Sequence, residues 1–126
     1  MTVEQKKEKF EKYRLNVKEL KRFAEAYRMC QDVGVAIATL DTDIAKKTEK
    51  ELEKEKTELC KKVSKILKEK RAIEKEIDKV KDGNEALVLR YRYIDGYGWE
   101  QISELLDYSP RNIHYMHKRA LSAMVQ

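Results

Sequence analysis

Proline occurs once in this chain, at position 110, and glycine only four times, so little in it breaks a helix. Cysteine is equally sparse. Cys30 and Cys60 lie far apart, with no CxxC spacing and no nearby histidine, which excludes a thiolate metal site or redox pair and leaves two free, buried thiols as the reading. The longest apolar stretch, Val33 to Leu40, is too short to cross a bilayer. Met1 to Lys12 is mostly Lys, Glu and Gln, without the apolar centre of a secretion signal. These absences point to a soluble, cytoplasmic protein that neither spans nor enters a membrane. There is also no glycine-rich phosphate loop, no Ser/His/Asp set with a shared pocket and no metal-ligand cluster. The chain therefore reads as a non-enzyme with no cofactor, no metal and no small-molecule substrate.

Charge is what the chain has in quantity: Asp, Glu, Lys and Arg make up 40% of it, with a net charge of +5. The excess is not spread evenly. Residues 1–83 hold 23 basic against 18 acidic side chains, whereas residues 84–126 hold five of each. Within that last part every acid lies at or before Asp107, and from Ser109 onward only Arg111, Lys118 and Arg119 carry charge. One basic terminal helix on an otherwise neutral module is the pattern expected of a helix that faces phosphates.

Hydrophobic spacing predicts an all-α protein. Val3, Phe10, Val17 and Ala24 form one heptad row, with Tyr13, Leu20 and Tyr27 in a second. This pattern predicts a helix over about 3–31 that ends near Asp32-Val33-Gly34. A longer helix is predicted over about 42–81: Leu52, Leu59, Ile66, Ile73 and Val80 recur every seven residues, with Val63, Ile77, Lys56 and Lys70 in the companion row. Asp41 or Thr42 can start it, and Thr48-Glu49-Lys50-Glu51 matches a capping box further in. A helix of that length spans about 50 Å and needs a partner for its seam, either the first helix as a hairpin or a second copy as a coiled-coil homodimer. The homodimer is the expectation favoured here. The Lys/Glu runs between Lys46 and Lys81 alternate in sign and read as a solvated helix face.

The arm of residues 1–83 is followed by a module over 84–126. Asp82-Gly83-Asn84 closes one helix and opens the next, with Asn84 as the N-cap. Glu85 to Ile94 is predicted helical, with Leu87 or Val88, Tyr91 and Ile94 facing inward. A turn at Asp95 to Gly98 leads to a short helix, Trp99 to Leu106, with Trp99, Ile102, Leu105 and Leu106 as its apolar positions. Asp107-Tyr108 makes a tight turn, and Ser109-Pro110 starts the last helix, serine as cap and proline where its missing N–H costs nothing. Ile113, Met116, Ala120, Leu121 and Met124 form its buried stripe. Most of the Tyr91, Tyr93, Tyr97, Trp99 and Tyr108 group reads as core. His114 and His117 read as DNA-facing or exposed residues and not as a metal pair.

Two short helices joined by about three residues, the second basic, meet the requirement for a helix-turn-helix. Off the buried stripe, Arg111, Asn112, His114 and Tyr115 are candidates for base contact, since arginine can bond guanine and asparagine adenine in a bidentate way. Ser109, Lys118 and Arg119 are candidates for phosphate contact.

The stretch from Leu89-Arg90-Tyr91-Arg92-Tyr93-Ile94-Asp95-Gly96-Tyr97-Gly98-Trp99-Glu100-Gln101-Ile102 through Ser103-Glu104-Leu105-Leu106-Asp107-Tyr108-Ser109 resembles region 4 of the sigma-70 family. Arg111-Asn112-Ile113-His114 and Lys118-Arg119-Ala120-Leu121 continue the likeness over about a third of the chain. With a heptad arm in front, the whole is similar to phage and prophage regulators of the ArpU/RinA type. The resemblance implies a promoter-reading helix-turn-helix and a role in transcription control. Asp107 stands where the family has glycine, which asks an aspartate to hold a left-handed backbone. Gly98 replaces the usual Ser or Thr cap, and His114 and Tyr115 replace the common Arg and Gln. Nothing before Gly83 resembles the polymerase-binding and melting parts of a full sigma factor. The leading expectation is thus a sequence-specific double-stranded-DNA-binding regulator; the competing ones are an RNA polymerase-binding adaptor and a phage DNA-packaging recognition subunit.

Overall fold

The computed structural model describes residues 1–125, and among them there are five α-helices, one π-helical segment and no strand. The helices are α1 (Val3–Ile37), α2 (Asp43–Asp78), α3 (Gly83–Leu89), α4 (Trp99–Leu106) and α5 (Pro110–Met124), and the π-helical segment Arg90–Ile94 extends α3. No helix among the described residues is long and apolar enough to cross a membrane.

Two compact units divide the chain. One is Lys18–Leu67, the other Met1–Val17 together with everything from Lys68 onward. Helices α3 to α5 share their unit with the first fifteen residues of α1 and the last third of α2.

In the Lys18–Leu67 unit, α1 and α2 run antiparallel. Gly34 lies beside Leu52, the Lys56 ammonium sits 5.8 Å over the Tyr27 ring, and Lys62 sits 5.6 Å over Phe23. Cys30, Ala45, Leu59 and Ile66 are buried there. Cys60 is exposed, which corrects the expectation that both thiols are buried. Helix α1 does not stop at Gly34 but continues to Ile37. A mid-helix glycine costs only about 1 kcal/mol, and the half-buried Gly34 and Ile37 continue the packed row set by Cys30. The seam lysine Lys56 is half-buried, its stem in the row and its charge paired with Glu53 at 3.0 Å. The strict heptad row of α1 also drifts: Ala24 and Tyr27 are exposed while Phe23, Ala26 and Cys30 turn inward. A straight helix slips by about 20° per heptad, so a row read in sevens moves off the contact after a few turns.

Thr42 caps α2, its hydroxyl accepting from the Ala45 N–H at 3.1 Å. The capping-box motif at Thr48 is not used; that hydroxyl donates to the Ile44 carbonyl one turn back, inside the helix. The helix ends at Asp78, three residues before the expected end, and the Lys79 and Val80 N–H groups tighten the turn onto Glu76 and Ile77.

In the other unit, Phe10, Ile73, Ile77, Val80, Leu89 and Tyr93 form the interior. Lys6, buried on α1, is neutralised by Glu76 of α2 at 3.1 Å. The Tyr13 phenol is pushed up to about 12, first by burial and then by Glu74 and Glu69. Phe10 meets Tyr93 edge-on at 5.2 Å between ring centres. Of the two heptad rows, Phe10, Tyr13, Leu59, Ile66, Ile73, Ile77 and Val80 are buried within one chain, whereas Val3, Val17, Leu20, Leu52 and Val63 are half-buried and Ala24 and Tyr27 exposed. A second core joins α3, α4 and α5 through Val88, Ile102, Ile113 and Met116, with Tyr91, Tyr97, Trp99 and Leu106 against it.

Candidate nucleic-acid interface

The candidate face is built from the start of α5. Ser103 begins it by donating its hydroxyl to the Tyr108 carbonyl. Asp107 takes the left-handed backbone, φ 56° and ψ 43°, that lets α4 stop and the chain reverse. Ser109 then accepts from the Asn112 N–H at 3.2 Å, and Pro110 opens the helix. Gly98 caps α4 through an extended backbone with no side-chain bond. The ends of α4 and the start of α5 lie where serine, proline and the turn residues set them.

The approach to this pair differs from the sequence expectation. Asp82, not Asn84, caps α3, accepting from the Asn84 and Glu85 N–H groups at 3.0 Å each. Gly83 is the first residue of α3 and not the end of α2. Asn84 instead donates its side-chain amide to the Tyr108 hydroxyl at 3.2 Å, tying the start of α3 to the turn before α5. The Asp95 N–H reaches back to the Arg90 carbonyl at 2.9 Å, five residues away, so the helix widens there. The inward residues are Val88, one of the two expected at that turn, together with Leu89 and Tyr93, while Leu87, Tyr91 and Ile94 are only half-buried. On α4, Leu105 is 52% exposed and Ile102 alone is fully buried.

Helix α5 carries no acidic residue. Its buried face is Ile113, Met116, His117, Ala120 and Leu121, with Met124 half-buried. At about 100° per residue, Arg111, Tyr115 and Lys118 point directly away from that face, with His114 on one flank and Asn112 and Arg119 on the other. Arg111, His114, Tyr115, Lys118 and Arg119 are exposed and Asn112 is half-buried. Among the described residues Arg111 and Lys118 make no ion pair. Arg119 is held: its Nε lies 3.1 Å from Glu85 of α3, a carboxylate only 10% exposed, and its guanidinium lies 5.7 Å over Tyr115. His114 rests on the Trp99 ring at 4.5 Å. Ser109 is exposed, with its oxygen occupied by the cap. Seven candidate residues thus gather at one helix; of its three cations, Arg111 and Lys118 have no carboxylate partner among the described residues, while Arg119 is held by Glu85.

His117 corrects the expectation that both histidines are exposed or DNA-facing: it is 5% exposed. Burial, and then the positive charges of Lys7, His114 and Arg92, push its pKa down to about 4. Its Nε2 lies 2.7 Å from the Tyr93 hydroxyl, which in turn lies 3.4 Å from Glu11 of α1. Burial raises the Tyr93 phenol well above its usual range. Arg92 spans the same cluster, 4.2 Å over Trp99 and 3.4 Å from Glu11. Spacing could have revealed His117, since it falls four residues after Ile113 and three before Ala120. Nothing local in the sequence signals Glu11 or Glu85, which arrive from other helices. Among the described residues no three of His, Cys, Asp or Glu could together hold a metal ion.

The elements therefore define an all-helical protein whose C-terminal helices present a basic helix from an internally paired support. Residues 49–125, well over half of the chain, match the family described as Protein of unknown function (DUF1492), and the chain belongs to that family. No curated protein matches the chain. No solved structure matches it either.

Proposed function

We propose that α4 and α5 act as a helix-turn-helix that reads double-stranded DNA in a sequence-specific way, and that the protein is a transcription regulator of phage or prophage origin. The observation that carries this reading is the exposed face of α5. It starts at a capped, proline-led N-terminus, has no acid along its length, and turns Arg111, Tyr115 and Lys118 outward together. Helix α5 would lie in the major groove, Arg111 on a guanine edge, with Asn112, His114 and Tyr115 reading neighbouring bases. Lys118, Ser109 and Arg119 would contact phosphates, Arg119 only by sharing its charge with Glu85. The sigma region 4 resemblance of residues 89–121 supports the same face.

A homodimer through the heptad helices is part of this reading. It would then bind half-sites about one helical turn, or a multiple of it, apart. The test is selection of bound duplexes from a random library, combined with solution mass. A recovered motif that blurs on replacing Arg111 supports the reading. Recovery of no motif, with capture of RNA polymerase by the same face, would favour the adaptor instead.

A further inference from the structure

The mixed Lys/Glu runs of α2 divide between its helix faces. In the Lys18–Leu67 unit, Leu59, Val63 and Ile66 turn α2 toward α1. At about 100° per residue the opposite, outward line gathers Lys47, Lys50, Lys54, Lys61 and Lys65, with Thr57 and Ser64 between them. All seven are exposed. Between Ile44 and Leu67 the acids nearest that line are Glu53 and Glu58, about 20° beyond Ser64 and Lys65, with Glu51 further out, and Asp43 lies on the line at the start of α2. Lys61 is paired with Glu58 at 3.2 Å, on the surface where such a pair is worth little. Lys47, Lys50, Lys54 and Lys65 make no ion pair among the described residues.

We infer that this lysine face is a second, sequence-independent binding surface for the sugar-phosphate backbone of double-stranded DNA; the inference rests on the DNA-reading function proposed above. From Lys47 to Lys65 the row is about 27 Å long at 1.5 Å per residue, a straight rod of positive charge against a ligand with one negative charge per about 1.7 Å of axis. A lipid surface fits less well, because a membrane-bound helix needs an apolar face beside its lysines. Here the apolar face is packed on α1. A protein partner fits less well too, since lysine is depleted at the centre of protein interfaces. The surface supplies affinity without base selectivity and leaves selectivity to α5.

The experiment uses the full chain and measures affinity for a selected duplex and a random-sequence duplex across salt. The variant replaces Lys47, Lys50, Lys54 and Lys65 by Gln, a residue of similar helix propensity. A second variant replaces the same four by Arg, and a third carries Arg111→Ala alone. Each phosphate contact contributes about 0.9 to the slope of log affinity against log salt. If all four lysines engage, the Gln variant flattens that slope by about 3.6 on both duplexes. Its affinity loss between about 50 and 200 mM salt then shrinks on the order of a hundredfold. The Arg variant keeps the wild-type slope, and Arg111→Ala lowers affinity for the selected duplex alone. A Gln variant with the wild-type slope, while Arg111→Ala still loses selectivity, overturns the lysine surface and leaves the reading of α5 intact. Wild-type protein that binds no duplex at any salt overturns both, and binding of anionic lipid vesicles by the lysines in its place overturns the choice of ligand.

Discussion

The Tyr93 hydroxyl lies 2.7 Å from Nε2 of His117, so a buried polar contact joins the π-helical segment after α3 to the middle of α5. The two rings are 5.7 Å apart and tilted, with Trp99 4.8 Å from His117 on its other side. Phe10 of α1 closes the cluster edge-on against Tyr93. The helix that presents Arg111 is thereby positioned by a residue of the first helix, acting through Tyr93.

Tyr93→Phe keeps the ring packing and removes one hydroxyl, leaving Nε2 of His117 buried without its partner. An unsatisfied buried polar group costs about 1–3 kcal/mol. Chemical denaturation should show a loss of that size with an unchanged m-value. An unchanged midpoint would mean that water serves His117 equally well.

Acid should destabilise the fold through His117. An imidazole in the unfolded chain takes its proton near pH 6.5, whereas His117 in the folded chain does so only near 4. Between those values the unfolded state binds the extra proton, so stability is complete above the first and falls as pH drops toward the second. The total is on the order of 3 kcal/mol. Carboxylates titrate in part of this window as well, so the check is a comparison with His117→Gln. Stability curves of the two proteins should converge as pH falls from about 7 to about 4; parallel curves would contradict the assignment.

The compact unit that holds α3 to α5 also contains Met1–Val17 and the end of α2. A fragment beginning at Asn84 would expose Tyr93 to water, since Phe10 goes with the removed part. Burying a side chain of that size stabilises by about 1.5–3 kcal/mol, a large share of the margin of a small domain. Circular dichroism of that fragment should show a weak, broad thermal transition, and a cooperative one would show that α3 to α5 fold without the first helix.

The parts that were legible in the sequence are those fixed by short-range chemistry. Ser109 and Pro110 announce the start of α5, and Asp107 its left-handed turn, because caps and turns depend on residues only a few positions apart. The long helices were legible as rows, but not their ends: packing carries α1 through Gly34. Tyr93 was legible as one of the aromatic residues of the core, but the inward row read through Tyr91 and Ile94 passed it by, since Tyr93 falls four residues after Leu89. Arg119 appeared free because its partner, Glu85, belongs to another helix and no local spacing links them. Lys47, Lys50, Lys54 and Lys65 appeared as one half of an alternating run until the packed side of α2 was known.

Asp107 should be intolerant of a β-branched side chain. Its φ of 56° lies in the left-handed region, which costs most residues about 1–2 kcal/mol and aspartate less. Asp107→Val should lower the melting temperature and loosen the α4–α5 turn, whereas Asp107→Gly should be tolerated. Equal melting of the two variants would show that the turn is not held at this conformation.

Arg111 is the residue on which selectivity is expected to turn. It is exposed, stands in the first turn of α5, and has no carboxylate partner among the described residues. Removing it should therefore leave stability unchanged within about 0.5 kcal/mol, as for surface sites away from special features. On a selected duplex Arg111→Ala should cost about 1–3 kcal/mol of affinity and relax preference at one base pair. Lys118→Ala should instead weaken all duplexes alike and reduce the salt slope by about 0.9. Competition binding against single-base variants of the selected site separates the two outcomes. If Arg111→Ala lowers affinity equally for every variant and flattens the salt slope, Arg111 is a phosphate contact, and selectivity must come from Tyr115 and its neighbours on the same face.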